Sequence, residues 1–306
     1  MKKGFRKFLI KMVPALLNIP FLGHRYYLYI KNRLSWQGIN LKRSIFDGNK
    51  MNLYVNDWVQ KSLFVYGEYE RKEIRFWQQL ARKRKTIFDI GGHVGYYSLV
   101  AAKAASTDTK IYCFEPIRQT FERAKENIAL NGYQNIYLQN FALSNEDGSL
   151  QINIGGDENW GMSSINAHAH TSGKTETVNK QTVDSFCNAH NINQIDLVKI
   201  DVEGSEFYVL QGMKQMIASS RPVVLIEILE QTLSAQGIDV KSIYQFFPII
   251  IIILTTSWEA VSCRPSKTLR HLKGWFVSGR PKSLLINSFP FKNEYSSPGF
   301  LVSNGG

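Results

Sequence analysis

Apolar positions along the chain alternate between two periods, and the switches outline strands and helices in turn. Short apolar runs without helical spacing occupy residues 86–89, 110–115, 136–141, 195–201, 222–228, 248–254 and 283–289. Between them the spacing becomes helical, through Leu99, Val100 and Ala101, then through Phe121, Ala124, Ile128 and Leu130, and again over residues 205–218. Asn131-Gly132 supplies a left-handed helix end. Upstream, Trp58, Leu63, Phe64, Ile74, Trp77 and Leu80 predict a helix pair broken at Gly67-Glu-Tyr-Glu70. Alternation of this kind, with strands apolar on both faces, predicts an α/β fold with a mostly parallel sheet and helices on both of its faces. Residues 149–154 and 175–183 read as added strands around a polar loop, 155–173, that carries Trp160, His168 and His170. A loop of that length covers or binds something. Its two histidines lack a third ligand nearby, so no metal site is predicted there.

Charge changes this picture at one end only. The chain has 306 residues, is 44% hydrophobic and carries a net charge of +12. Residues 1–50 hold eleven Lys/Arg against the single acid Asp47, so they account for +10 and the rest of the chain for +2. The expected organisation is a basic extension over 1–50, a catalytic domain over 51–290 and a polar tail over 291–306. The first apolar stretch contains Pro14, Asn18 and Pro20 and is shorter than the roughly 20 residues that span a bilayer. No small-residue cleavage site follows it, which leaves little support for a signal peptide. Two readings stay open for residues 1–35: a basic amphipathic element on an anionic membrane face, or a helical extension packed on the body. The cysteines, Cys113, Cys187 and Cys263, form neither a pairing framework nor a zinc spacing, so a reducing cytoplasm is expected, with peripheral contact at the inner membrane face under the first reading.

The chemistry gathers at the ends of the predicted strands. Thr86-Ile-Phe-Asp-Ile-Gly-Gly-His-Val-Gly95 reads as strand, tight turn and helix start, where glycines let backbone approach a nucleotide-like ligand. An acid at Asp89, ahead of Gly91, Gly92 and Gly95, would repel a pyrophosphate and suits a ligand with a cationic amino-acid end, such as S-adenosylmethionine. Glu115, about 20 residues on, is placed for a ribose diol. Asn140 falls near the adenine position or is a turn residue. Lys199 and Asp201 stand two apart on an apolar strand, hence on one face, and are either used or a structural ion pair. Glu203, Glu206 and Glu227 lie at the same strand edge.

Four blocks now resemble the FkbM-type S-adenosylmethionine-dependent methyltransferases: Phe88-Asp-Ile-Gly-Gly-His-Val-Gly-Tyr-Tyr97, Phe114-Glu-Pro116, Asn140-Phe-Ala-Leu-Ser144 and Lys199-Ile-Asp-Val-Glu-Gly-Ser-Glu206. The last is the most specific, and the similarity covers roughly residues 55–230. The resemblance implies a Rossmann-like class I fold of seven strands, the last antiparallel, and methylation of a hydroxyl on a sugar or related acceptor. It adds Glu70 and His93 to the cofactor side, although His93 stands where the family often has Asn and core packing is its alternative reading. Asp201 is the expected base, Lys199 its charge partner and Glu203 its neighbour. An alternative within the fold has Asp201 and Glu227 hold Mg²⁺. The rivals are a nicotinamide-dependent oxidoreductase, which lacks its G-x-G-x-x-G, and a non-catalytic membrane-associated S-adenosylmethionine-binding protein. A near-neutral body without nucleic-acid methylation motifs argues against a nucleic-acid partner.

Overall fold

The computed structural model describes residues 3–17, 19, 22–155, 171–228, 230–239, 242–243, 246 and 251–255, all within the first of the chain's two units, Met1–Ser257. Most of the loop carrying Trp160, His168 and His170, the expected strand at 283–289 and the tail lie outside the described residues.

In chain order come α1 (Lys3–Leu16), α2 (Leu22–Arg33), β1 (Asn40–Ser44), β2 (Lys50–Tyr54), α3 (Trp58–Tyr66), α4 (Arg71–Ala81), β3 (Thr86–Ile90), α5 (Tyr96–Ala104) and β4 (Lys110–Phe114). These are followed by α6 (Arg118–Asn131), β5 (Ile136–Gln139), β6 (Ala142–Leu143), β7 (Gly148–Gly155), β8 (Thr171–Gln181), α7 (Val183–Ala189) and β9 (Leu197–Ile200). The series closes with α8 (Glu206–Gln211), α9 (Lys214–Ser220), β10 (Val223–Ile228), α10 (Glu230–Ala235) and β11 (Ile251–Thr255).

Six strands form one sheet in the order β11-β10-β9-β3-β4-β5, and every pairing in it is parallel. The chain runs outward from β3 through β4 and β5, then restarts at β9 and runs the other way. The reversal leaves a crevice between the C-terminal ends of β3 and β9, where ligands bind in open sheets of this kind. Alternate residues face opposite ways. Ile87, Ile111, Leu197 and Leu225 join one core with α4 and α5, and Phe88, Phe114, Val198 and Ile226 join a second with α7 and α8. The seventh, antiparallel strand was expected at 283–289, so the described sheet stops at six.

Three features depart from the sequence reading. Residues 205–218 form two helices, broken at Gly212, because a Cβ there would stand 1.9 Å from the Ser144 carbonyl oxygen and the chain must pass it closely. The helix after the glycine loop ends at Ala104 rather than near Asp108. An antiparallel hairpin, β1 with β2, was not anticipated, although Asp47-Gly48 is a turn signal between alternating strands. The expected boundary at residue 50 falls inside this hairpin. The basic segment packs on the body: Ile10, Val13 and Ile30 are wholly buried in the first core. Among the described residues no helix is long and apolar enough to cross a membrane.

Candidate active site

β3 delivers the chain to Gly91, whose φ of +83° lies in the left-handed region that glycine tolerates. The backbone N–H groups of Gly91 and Gly92 both donate to the Phe114 carbonyl at the end of β4, at 3.0 and 2.9 Å. That double bond folds the loop flat against the sheet edge. A Cβ on Gly91 would stand 1.7 Å from the Asp201 carbonyl oxygen, and one on Gly92 would stand 2.2 Å from Cys113 Sγ. Neither position has room for any other residue. Gly95 starts α5 and packs on Ala124.

Glu115 follows β4 and clamps the loop. Its Oε2 accepts from the His93 N–H at 2.9 Å, and its Oε1 accepts from the Ile117 N–H at 2.9 Å and the Thr120 hydroxyl at 2.7 Å. Burial pushes this carboxyl up to about 7, against the pull of those donors. Oε2 takes one bond here, and Glu115 lines a cavity.

That cavity opens in the crevice between β3 and β9. It is lined by Ile90, Gly91, Gly92 and Val202, by Glu115, Ile117 and Phe141 after β4 and β5, and by Tyr69, Glu70 and Tyr97. Leu150 and Ile152 reach it from the small sheet β6-β8-β7, and Trp58 and Val59 from the start of α3. Three of the five non-glycine residues with left-handed backbone among the described residues, Glu70, His93 and Glu203, line it. Each such residue costs about 1–3 kcal/mol and persists only where the surroundings hold it, which is common at sites that do chemistry.

The β9 side of the cavity is crowded with charge. Lys199 is buried, donates to Asp201 Oδ2 at 2.7 Å and lies 4.6 Å from the ring centroid of Tyr97. Burial pulls its ammonium down, but the charges of Asp201 and Asp89 more than offset this and hold it protonated above its usual range. The Tyr97 hydroxyl donates to Glu70 Oε2 at 2.6 Å. Burial, joined by the Asp201 charge, pushes Glu203 up to about 8; burial with Asp201 and Glu70 pushes Glu227 up to about 9. Both shifts favour the protonated carboxyl at neutral pH. Glu206 is spent on structure: its Oε1 accepts from the Gly204 and Val202 N–H groups and fixes the turn after β9.

Of the expected site residues, Glu70, Gly91, Gly92, His93, Glu115, Lys199, Asp201 and Glu203 come together around this one cavity. Gly95, Asp89 and Asn140 do not line it. Asp89 lies beneath the loop in register with Lys199, wholly buried, with Oδ2 accepting from the Ser98 hydroxyl at 2.6 Å. Asn140 uses its amide to bridge the Glu115 and Pro116 carbonyls. Asp201 and Glu227, the pair considered for Mg²⁺, both line the cavity. Among the described residues no group of three or more His, Cys, Asp or Glu is arranged to hold a metal ion.

The sequence reading missed Tyr97 as the link between Glu70 and Lys199, and Trp58 and the small sheet as walls. Tyr96-Tyr97 following the glycines was the only signal. An adenosyl amino acid suits this lining. Two buried polar atoms at the glycine loop, Asp89 Oδ1 and His93 Nε2, have no hydrogen-bond partner among the described residues, and burial holds the His93 imidazole neutral.

Residues 89–254 match the family described as the Methyltransferase FkbM domain, more than half of the chain. The chain is 26% identical over 159 residues to the hexuronic acid methyltransferase AglP of Haloferax volcanii, covering 52% of this chain and 62% of that protein. It is 27% identical over 144 residues to Methyltransferase 1 of Beauveria bassiana, covering 42% and 57%. The chain thus spans about three fifths of the length of these two relatives. A solved O-methyltransferase of Bacillus cereus, at 14% identity, covers 51% of this chain and 54% of its own, with a TM-score of 0.32 that adds nothing to the fold described above.

Proposed function

We propose, from the chain's membership of the FkbM methyltransferase family, that it is an S-adenosylmethionine-dependent methyltransferase acting on a hydroxyl of a sugar or glycan. The observation that carries this reading is the Lys199–Asp201 pair at the cavity, 2.7 Å apart with its lysine buried, and the neutral acids Glu203 and Glu227 beside it. An aspartate paired with an ammonium, with neutral acids beside it, fits a polyhydroxyl acceptor, and the relative from Haloferax volcanii carries a hexuronic acid in its name.

Gly91, Gly92, His93 and Glu115 would hold the cofactor, with Asp89 acting from beneath the loop and Glu70 from beside Tyr97. When bound, it would supply an electrophilic methyl group on a sulfonium, which an acceptor oxygen takes in line as the C–S bond breaks and the thioether departs. Positioning therefore does much of the work, and a base need only take the acceptor proton as the new C–O bond forms. Asp201 takes that proton and becomes a carboxylic acid. Lys199, donating to Asp201 Oδ2, fixes the direction of that carboxyl group. Glu203 and Glu227 donate to neighbouring hydroxyls, and Trp58, Leu150 and Ile152 shield the site from water.

The test is mass spectrometry of cell-surface glycans from cells with and without the gene. Loss of one methyl group from a sugar residue supports the reading. An unchanged glycan profile, together with methyl transfer by the purified protein to a non-sugar acceptor, overturns it.

A further inference from the structure

Six of the nine large apolar side chains exposed among the described residues lie between residues 5 and 29. Three are on α1. At 3.6 residues per turn, Phe5, Phe8 and Met12 fall within about 60° of one another, and their exposures are 56%, 58% and 37%. Ile10 and Val13, on a different face of the same helix, are wholly buried. The helix thus has two apolar stripes, and only one is used by the core. Lys7 and Lys11, both exposed, run beside the outer stripe. On α2, Leu28 and Tyr29 are exposed with Arg25, Lys31 and Arg33 around them.

We propose that the outer face of α1 docks this protein on an anionic membrane surface. Phe5, Phe8 and Met12 enter the headgroup boundary, and Lys7 and Lys11 meet anionic headgroups, the arrangement of a helix lying in the interface plane. The fourteen residues of α1 are about 21 Å long, too short for the roughly 30 Å hydrocarbon core, so the helix lies on the bilayer rather than across it. A second copy is the poorer occupant, because two such faces would bring together segments that each carry +10 over residues 1–50. α1 also packs on α3, whose first residues, Trp58 and Val59, line the catalytic cavity. Docking at α1 is therefore continuous, through one helix, with part of the cavity lining. The inference stands on surface geometry and does not depend on which hydroxyl is methylated.

The full chain is floated with vesicles of phosphatidylcholine alone and of phosphatidylcholine with phosphatidylserine. Binding is expected only to the second, falling as salt rises. Phe5→Ser/Phe8→Ser/Met12→Ser and, separately, Lys7→Glu/Lys11→Glu are each expected to lower that binding at least about tenfold. Melting and calorimetric binding of S-adenosylmethionine should stay as in the parent, since these side chains are exposed. Failure of the full chain to float on anionic vesicles overturns the proposal. So does undiminished flotation of the serine variant, or a parent dimer in solution that this variant converts to monomer.

Discussion

Around Gly91 and Glu115 the cavity is shaped by backbone, whereas around Asp201 and Glu227 it is shaped by side-chain charge. In the first region the loop is pinned by N–H groups on the Phe114 carbonyl and on Glu115, and the glycines are fixed by contacts of 1.7 and 2.2 Å that a Cβ would make. In the second, one ammonium faces Asp201 and two glutamic acids whose carboxyls are held at about 8 and about 9. The first region is defined by shape and the second by charge; under the function proposed above, that division separates holding a donor from activating an acceptor.

The contrast is sharpest in substitutions that exchange one property for the other. Gly91→Ala adds a methyl where φ is +83° and the Asp201 carbonyl stands in the way. It is expected to cost at least about 3 kcal/mol in urea unfolding, or to prevent folding. An alanine variant as stable as the parent would break the account of the loop. Asp201→Asn keeps shape and removes charge. Its turnover is expected to fall by about 10²–10⁴-fold while affinity for S-adenosylmethionine changes by less than about threefold. Radiolabelled methyl transfer and calorimetry check the two numbers.

Glu227→Gln tests the crowding itself. In the folded protein this carboxyl keeps its proton up to about pH 9, while in the unfolded chain it loses it near the ordinary glutamate value of 4.5. Between those values the folded state binds more protons, so stability falls as pH rises through the window. The glutamine variant should be more stable than the parent by about 1–3 kcal/mol at pH 9 and no different near pH 4. Melting curves at the two pH values decide. Tyr97→Phe removes the 2.6 Å bond to Glu70 and leaves the ring under Lys199. A loss of about 1 kcal/mol in stability is expected, with methyl transfer reduced less than in the Asp201 variant.

The same contrast explains what could be read from the chain alone. Backbone-shaped features leave local marks: glycines after an apolar strand, an acid after the next strand, Asn-Gly at a helix end. These marks outline the sheet, the loop and the acid that follows β4. Charge-shaped features depend on distant segments. Lys199 and Asp201 showed as neighbours on one face, but Glu70, at φ +48° before α4, reaches the cluster only because Tyr97 holds it. Asp89 and Asn140 show the limit in the other direction. Their positions in the motif were legible, yet whether a side chain points into the cavity or braces it from behind is set by packing against Ser98 and the Glu115 carbonyl. The hairpin of β1 and β2 was overlooked because its strands are only five residues each and three of their ten residues are charged.

The most direct test of the division of labour is calorimetric titration of the full chain with S-adenosylmethionine and with NAD, alongside Glu115→Ala and Asp201→Asn. The account predicts that the parent binds the first ligand and not the second, that Glu115→Ala loses at least about tenfold in affinity while still melting cooperatively, and that Asp201→Asn binds as the parent does. A parent that prefers NAD, or a Glu115→Ala variant with unchanged affinity, would contradict it.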